Sequence, residues 1–399
     1  MRIGVNLLPL RPKVMGGAEI YVRDLVTEIL ATDEHDVLLV TGDVPAEAAL
    51  PEGARCRQLQ LRLASRARRL VPALAPVRGV LARARRFTRR GDDAALGDVI
   101  RRERVDLWFC PFSDLRPRAP GVPSIVTVHD LQHEFYPEFF SAKELRHRRR
   151  YAAASCAAAD HVIAVSEFTR RTVIDRFRVD PARVTTVWEA AGRDVPWAGG
   201  TARVCEVRRR YALPPRYAFY PANAWPHKNH ARLLEALALC RSHGVRDLGL
   251  VLTGESTVAP AGLQALVDRL GLREVVRSLG YVPRRDLPAL YAGAVCLVHP
   301  SLFEGFGIPL VEAMQVGCPI LAAEGTALAE VAGDAALLFD PRDPDAIARA
   351  LQRISGNVEC AEELARRARA RATLFSATAM AGRTLELFER VRQAVTAGR

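Results

Sequence analysis

The stretch His299-Pro-Ser-Leu-Phe-Glu304-Gly-Phe-Gly307-Ile-Pro-Leu-Val-Glu312-Ala-Met-Gln-Val-Gly317-Cys-Pro319 reads as a strand end, a loop and a short helix. The apolar run Val295–His299 stops where the loop begins. Gly305 and Gly307 let the backbone approach a ligand closely. Pro309 suits the first helical position and Gly317 the position just past the last turn, so a helix of about two turns is expected. A helix N-terminus presents unpaired N–H groups and the positive end of the dipole. Placed after a strand, it is a ready phosphate site. Glu304 in the loop and Glu312 on the helix can point toward one pocket, where carboxylates accept hydrogen bonds from vicinal sugar hydroxyls. Two solvated glutamates on a Gly-rich loop are the plainer alternative.

Outward from this segment, short apolar runs alternate with helical patterns. Candidate strands are Ile3–Leu8, Val37–Thr41, Val105–Cys110, Ser124–His129, His161–Val165 and Val184–Trp188. After a break follow Tyr217–Tyr220, Gly249–Thr253, Val276–Gly280, Val295–His299, Ile320–Ala323 and Ala336–Phe339. Most are continuous Val/Ile/Leu-rich runs, the pattern of parallel strands covered on both faces. The expected class is α/β, with two doubly wound, Rossmann-like domains facing a cleft. Gly192–Gly200, punctuated by Gly and Pro, marks the boundary. The domains are therefore placed at residues 1–194 and 195–376, with a last helix near Ala377–Ala394 in residues 377–399.

A chain of 399 residues is longer than one core usually serves. No apolar run of about 18 residues suggests a membrane span. Met1-Arg-Ile-Gly-Val-Asn6 enters a strand at once, without the pattern of a leader, so a cytoplasmic location is expected. None of the eight cysteines forms a Cys-x-x-Cys pair, and reduced thiols are expected. The net charge of +12 is concentrated: Arg55–Arg90 holds twelve arginines and no Asp or Glu. Within it Val77, Val80, Leu81 and Ala84 recur at helical spacing among arginines, a basic amphipathic pattern. A solvated face, an anionic membrane surface and a polyanion are its three readings. No nucleic-acid motif accompanies it, so no nucleic-acid partner is expected.

The pattern Glu304-Gly-Phe-Gly-x-Pro-x-x-Glu312 resembles the Glu-x₇-Glu motif of retaining GT-B glycosyltransferases of family 4. The resemblance implies Glu304 near the donor sugar, Glu312 on the ribose hydroxyls, and the amides of Gly305, Phe306 and Gly307 around sugar and diphosphate. Trp225-Pro-His-Lys-Asn-His230 is similar to the family's Lys-Asn element, which implies Lys228 as the cation that neutralises donor phosphates. Many relatives carry an arginine a few residues upstream, roughly where Asn223 stands, so that second cation is missing here or comes from elsewhere. Ser124–His129 resembles the family strand that ends in a histidine near the reacting sugar, which implies a catalytic place for His129. Gly16-Gly17 at the first helix looks like the family's Gly-Gly loop, and Gly280-Tyr-Val282-Pro like the turn that contacts the base through its backbone.

The resemblance implies transfer of a hexose from a nucleoside diphosphate sugar to an acceptor hydroxyl in glycan, polysaccharide or glycoconjugate biosynthesis. Retention of configuration is implied, with no cofactor and no catalytic metal. Trp225–His230 is most similar to mannosyltransferase-like members, which favours GDP-mannose. The acceptor is a glycan, a lipid-linked glycan or a small molecule, and peripheral docking at the inner membrane face accompanies the lipid-linked case. A GT-B sugar-nucleotide 2-epimerase and a basic polyanion-binding protein with a vestigial cleft are the rival readings. Asp343-Pro-Asp345 spells the metal-binding Asp-x-Asp of other transferases, but before Ala346–Leu351 it reads as a helix cap.

Overall fold

A computed structural model describes residues 1–10, 16–42, 51–61, 92–192, 200–254 and 262–397. The boundary expected between Gly192 and Gly200 falls on residues 193–199, outside the described residues, as does the basic helical pattern of Val77–Ala84.

The apolar runs form two wholly parallel sheets. The first contains β1 (Arg2–Leu7), β2 (Asp36–Thr41), β3 (Cys56–Gln60), β4 (Leu107–Cys110), β5 (Ser124–Val128), β6 (His161–Ala164) and β7 (Val184–Thr186). Their order is β3-β2-β1-β4-β5-β6-β7. The second contains β8 (Arg216–Pro221), β9 (Leu248–Thr253), β10 (Val276–Ser278), β11 (Cys296–His299), β12 (Ile320–Ala323) and β13 (Ala336–Phe339), in the order β10-β9-β8-β11-β12-β13. Parallel strands need crossovers, and the helices that supply them cover both faces. That is why β4, β5, β6, β9, β11 and β12 are buried along their whole length. These are two Rossmann-like layers, the α/β class expected.

β3 is a strand that the sequence reading does not anticipate. Its residues, Cys-Arg-Gln-Leu-Gln, are polar and half exposed, so the continuous apolar signal is missing. Ladder pairing with β2 at the sheet edge holds it there.

Each sheet reverses direction once, between β1 and β4 and between β8 and β11. Loops leaving the carboxyl ends on either side of such a switch point diverge and leave a crevice. The loops after β8 and β11 carry Lys228 and Glu304.

The last helix, Ala377–Ala397, leaves the second sheet and packs on the first domain. Met380, Leu387, Phe388 and Val391 are buried among Ile3, Val5, Leu25 and Phe109. The Phe388 ring lies 5.0 Å from that of Phe109, and Thr378 donates to Glu28 at 3.0 Å. The helix thus links the two layers by core packing. Phe388→Ala is expected to destabilise the protein by about 3–5 kcal/mol, the cost of an aromatic cavity. Chemical denaturation of the two proteins measures it, and a change under about 1 kcal/mol would mean that the helix is not held by this packing.

Candidate active site

At the second switch point the chain clamps its own loops. Pro226–Lys228 forms a single 3-10 turn, and Asn229 follows in the left-handed region at φ 61°. The Asn229 side-chain amide donates to the carbonyls of Pro300 and Pro341, at 3.0 and 2.7 Å, tying this turn to the loops after β11 and β13. The Tyr220 hydroxyl donates to the Lys228 carbonyl at 2.8 Å. With its backbone held, Lys228 brings Nζ to 2.6 Å from Glu304 Oε1. The same oxygen meets His299 Nε2 at 2.9 Å.

Burial alone would push the Glu304 carboxyl up. The Lys228 ammonium and the His299 hydrogen bond outweigh it and hold the group well below the usual carboxylate range. His299 is fully buried, and burial lowers its pKa against the pull of Glu304. The neutral ring then carries its proton on Nε2, the nitrogen facing the carboxylate, while Nδ1 has no hydrogen-bond partner among the described residues. Burial and the Lys228 charge push His227 and His230 down to about 4, so neither adds a second cation at neutral pH.

Gly307, at φ 112°, caps helix Ile308–Val316, which ends at Gly317 at φ 68°. Both conformations suit glycine. Gly17 opens the first helix of the opposite domain so close to Ile308 that a Cβ on it would lie 2.8 Å from Ile308 Cδ1. The two Gly-rich helix starts therefore face each other across the cleft.

Gly305 sits against the opposite domain with no room for a side chain. A Cβ on it would collide with the carbonyl of His129. Its own carbonyl accepts from Ser166 Oγ at 2.7 Å and Thr169 Oγ1 at 3.1 Å, at the start of helix Glu167–Phe177. Glu330 reaches across to the same helix and accepts from the amides of Glu167 and Phe168, at 2.8 and 3.0 Å, and from Trp188 Nε1 at 2.8 Å. Tyr136 donates to the Leu302 carbonyl at 3.2 Å.

His129 follows β5 with its ring held at both nitrogens. Nε2 lies 2.7 Å from the Pro111 carbonyl and Nδ1 2.7 Å from Glu189 Oε1. Both partners are acceptors, an arrangement that favours a proton on each nitrogen. Burial opposes that charge, but Glu189 and the Pro111 carbonyl prevail and the pKa is raised.

Glu312 lies apart from Glu304. It accepts from the Tyr291 hydroxyl at 2.7 Å and lines a pocket with Gly192, Arg284, Leu287, Tyr291 and Gln315. Glu304 is not among the walls of that pocket. Burial raises the Glu312 pKa, against the Tyr291 hydrogen bond and the Arg284 charge.

Residues 15–190 match the family described as Glycosyltransferase Family 4, and residues 207–371 match the family described as Glycosyl transferases group 1. The chain belongs to the family 4 glycosyltransferases of GT-B fold. It is 37% identical over 227 residues to O-antigen chain mannosyltransferase B of Escherichia coli, a match spanning 56% of this chain and 59% of that protein. It is 26% identical to O-antigen chain mannosyltransferase RfbU of Salmonella typhimurium, over 57% of this chain and 60% of the other. These matches thus cover under two thirds of the relatives' length. Among solved structures, sucrose-phosphate synthase from Thermosynechococcus elongatus superposes with a TM-score of 0.76 at 21% identity, covering 99% of this chain and 100% of that one. HepE of Anabaena in complex with UDP-glucose gives 0.72 at 18% identity, with both chains fully covered. At these identities the superpositions show the fold.

In this chain Lys228 and Glu304 are brought together as a buried pair, and Glu312 lines a pocket with Arg284 and Tyr291. Neither glutamate is a solvated loop residue, with Glu304 only 14% exposed at its side chain. Phe306 is buried with its ring against Phe375, so only its backbone is available to a ligand. Val282 is likewise buried, its side chain in the core. Gly16 takes φ 54° just before the first helix. Asp343 caps helix Pro344–Gly356 by accepting from the Asp345 amide at 2.9 Å, as its sequence context indicates. His129, expected near the reacting sugar, is held at both ring nitrogens by Glu189 and Pro111. Its partner Glu189 escapes sequence reading, since nothing local pairs residues 60 positions apart. His299 and Arg284 escape it too, although His299 closes a buried strand, which is a signal in itself.

The His129–Glu189 pair has a pH signature. Its pKa is raised in the folded protein, so its stabilising effect is full below the unfolded value of 6.5 and is lost as pH rises through the folded value. Glu189→Gln is therefore expected to cost more stability at pH 6 than at pH 9. Equal costs in urea titrations at the two pH values would show that the ring is neutral throughout.

Proposed function

We propose that this glycosyltransferase moves mannose from GDP-mannose to an acceptor hydroxyl with retention, in the biosynthesis of a glycan, polysaccharide or glycoconjugate. One observation carries the reading: Lys228 and Glu304 meet at 2.6 Å at a sheet switch point, in the loop that opens helix Ile308–Val316. Similarity to O-antigen mannosyltransferases supports the choice of sugar.

In this reading the donor diphosphate lies over the Gly307–Ile308 amides, where the helix dipole favours negative charge. Lys228 turns from Glu304 to the phosphates and stabilises the charge that develops on them. Glu304, still held by His299, receives hydroxyls of the sugar. Glu312 grips the ribose, and the backbones of Gly305, Phe306, Gly16, Gly17 and Val282 complete the cradle. The sugar–phosphate bond breaks, the acceptor oxygen bonds to the same face of the anomeric carbon, and its proton leaves with the diphosphate. No covalent nucleophile is assigned, and Lys228 with the helix dipole supplies the positive charge without a metal. His129 acts as a fixed cation behind the reacting sugar. Burial between the two domains keeps water from the donor. Among the described residues no helix is long and apolar enough to cross a membrane. A lipid-linked acceptor would bring the protein to the inner membrane face, with Arg55–Arg90 as its docking segment.

Product analysis by NMR after incubation with GDP-mannose and candidate acceptors tests the reading, with an α-linked product expected. Lys228→Ala and Glu304→Gln are each expected to lower kcat by about 10²–10³-fold. Wild-type turnover in Glu304→Gln would sink the assignment, and conversion of the donor alone would indicate an epimerase. Glu312→Gln is expected to raise KM for the donor. Because the Glu312 pKa is raised and its ionised form accepts ribose hydroxyls, donor affinity should climb as pH rises through that pKa and stay flat in Glu312→Gln. Calorimetric titration across pH 5–8 separates the two profiles.

A further inference from the structure

We infer that Arg284 reads the base of the donor nucleotide, offering its guanidinium fork to the acceptor edge of guanine. The inference rests on the donor reading above and names the part of the site that selects the nucleotide.

Arg284 lines the pocket that also holds Glu312, Tyr291, Gln315 and Leu287. Its Nε is buried and has no hydrogen-bond partner among the described residues, while its charge acts on Glu312 and Tyr291. The one carboxylate lining the pocket, Glu312, accepts its hydrogen bond from Tyr291. A buried donor without a partner is costly, and a guanidinium can only donate. The pocket therefore asks for a ligand that brings acceptors.

The helix Ile308–Val316 says which part of the ligand that is. Its N-terminus is the phosphate end, Glu312 lies four residues on and Gln315 three more. At about 1.5 Å per residue, the Gln315 wall is about 10 Å along the axis from the phosphates. A nucleotide laid along this face places diphosphate at Gly307, ribose at Glu312 and base beyond it, beside Arg284. Leu287 and Pro288 give that end apolar walls for a ring face. Guanine presents two adjacent acceptors, O6 and N7, which match an arginine fork, whereas adenine replaces O6 with a donor.

Gly192 makes the room. A Cβ built there would overlap Arg284 Nη2 and come within 3.1 Å of its Cζ. Gly192→Ala should therefore displace the guanidinium without removing it.

Calorimetric titration of the full chain with GDP, ADP and UDP tests the inference. The wild type is expected to prefer GDP. Arg284→Met should weaken GDP binding about tenfold or more and leave ADP within threefold. Gly192→Ala should shift GDP in the same direction by a smaller factor. The inference is overturned if Arg284→Met leaves GDP unchanged, if it weakens GDP and ADP equally, or if the wild type prefers UDP. A wild type that binds no nucleotide overturns the donor reading as well, whereas tight GDP binding undiminished in Arg284→Met removes only the role of Arg284. Unliganded melting curves check that the variants fold, and Gly192→Ala decides if Arg284→Met does not.

Discussion

The carbonyl of Gly305 accepts from two hydroxyls of the opposite domain, Ser166 and Thr169, while its Cα presses on the carbonyl of His129. The whole site depends on this contact. No side chain fits there, so the loop between Glu304 and Gly307 can enter the seam only as bare backbone. Once seated, it sets Glu304 on one side, facing Lys228, and the helix start on the other, facing Gly17. The Glu330 carboxylate closes the same seam a few residues away by capping helix Glu167–Phe177, a task usually done within a helix rather than from another domain.

Charge in the cleft is arranged economically. One oxygen of Glu304 takes both Lys228 and His299. A lysine so paired is stored rather than free, and an incoming diphosphate offers it a second partner of greater charge. His299 is what remains to hold Glu304 when that exchange happens. On the other side of the seam two acceptors hold the His129 ring and raise its pKa. Asn223 stands where the family resemblance implies a second cation, and burial keeps His227 and His230 neutral at neutral pH. In the proposed reading, the positive charge facing a donor therefore comes from Lys228 and the helix dipole, with Arg284 at its flank.

Much of this was legible in the sequence. Continuous apolar runs announce buried parallel strands because both faces are covered, and their alternation with helical patterns implies two wound layers. Gly307, Pro309 and Gly317 state the bounds of one helix because each occupies a position that few other residues tolerate. β3 was not legible, since an edge strand needs only its partner's ladder and carries no apolar run. Nor was Asn229 readable as the clip between three loops, because its partners lie 71 and 112 residues away.

Local chemistry by itself therefore determined the α/β class, the glycine-bounded helix start after β11 and the choice of Lys228, Glu304 and Glu312 as the groups of interest. Tertiary structure decided how they are placed: that Lys228 and Glu304 are paired, that Glu312 lines a pocket with Arg284, and that His129 is held at both ring nitrogens by Glu189 and Pro111. The physical reason is that propensity and spacing act over a few residues, whereas protonation and pairing are set by whatever the folded chain brings within about 3 Å, at any distance in sequence.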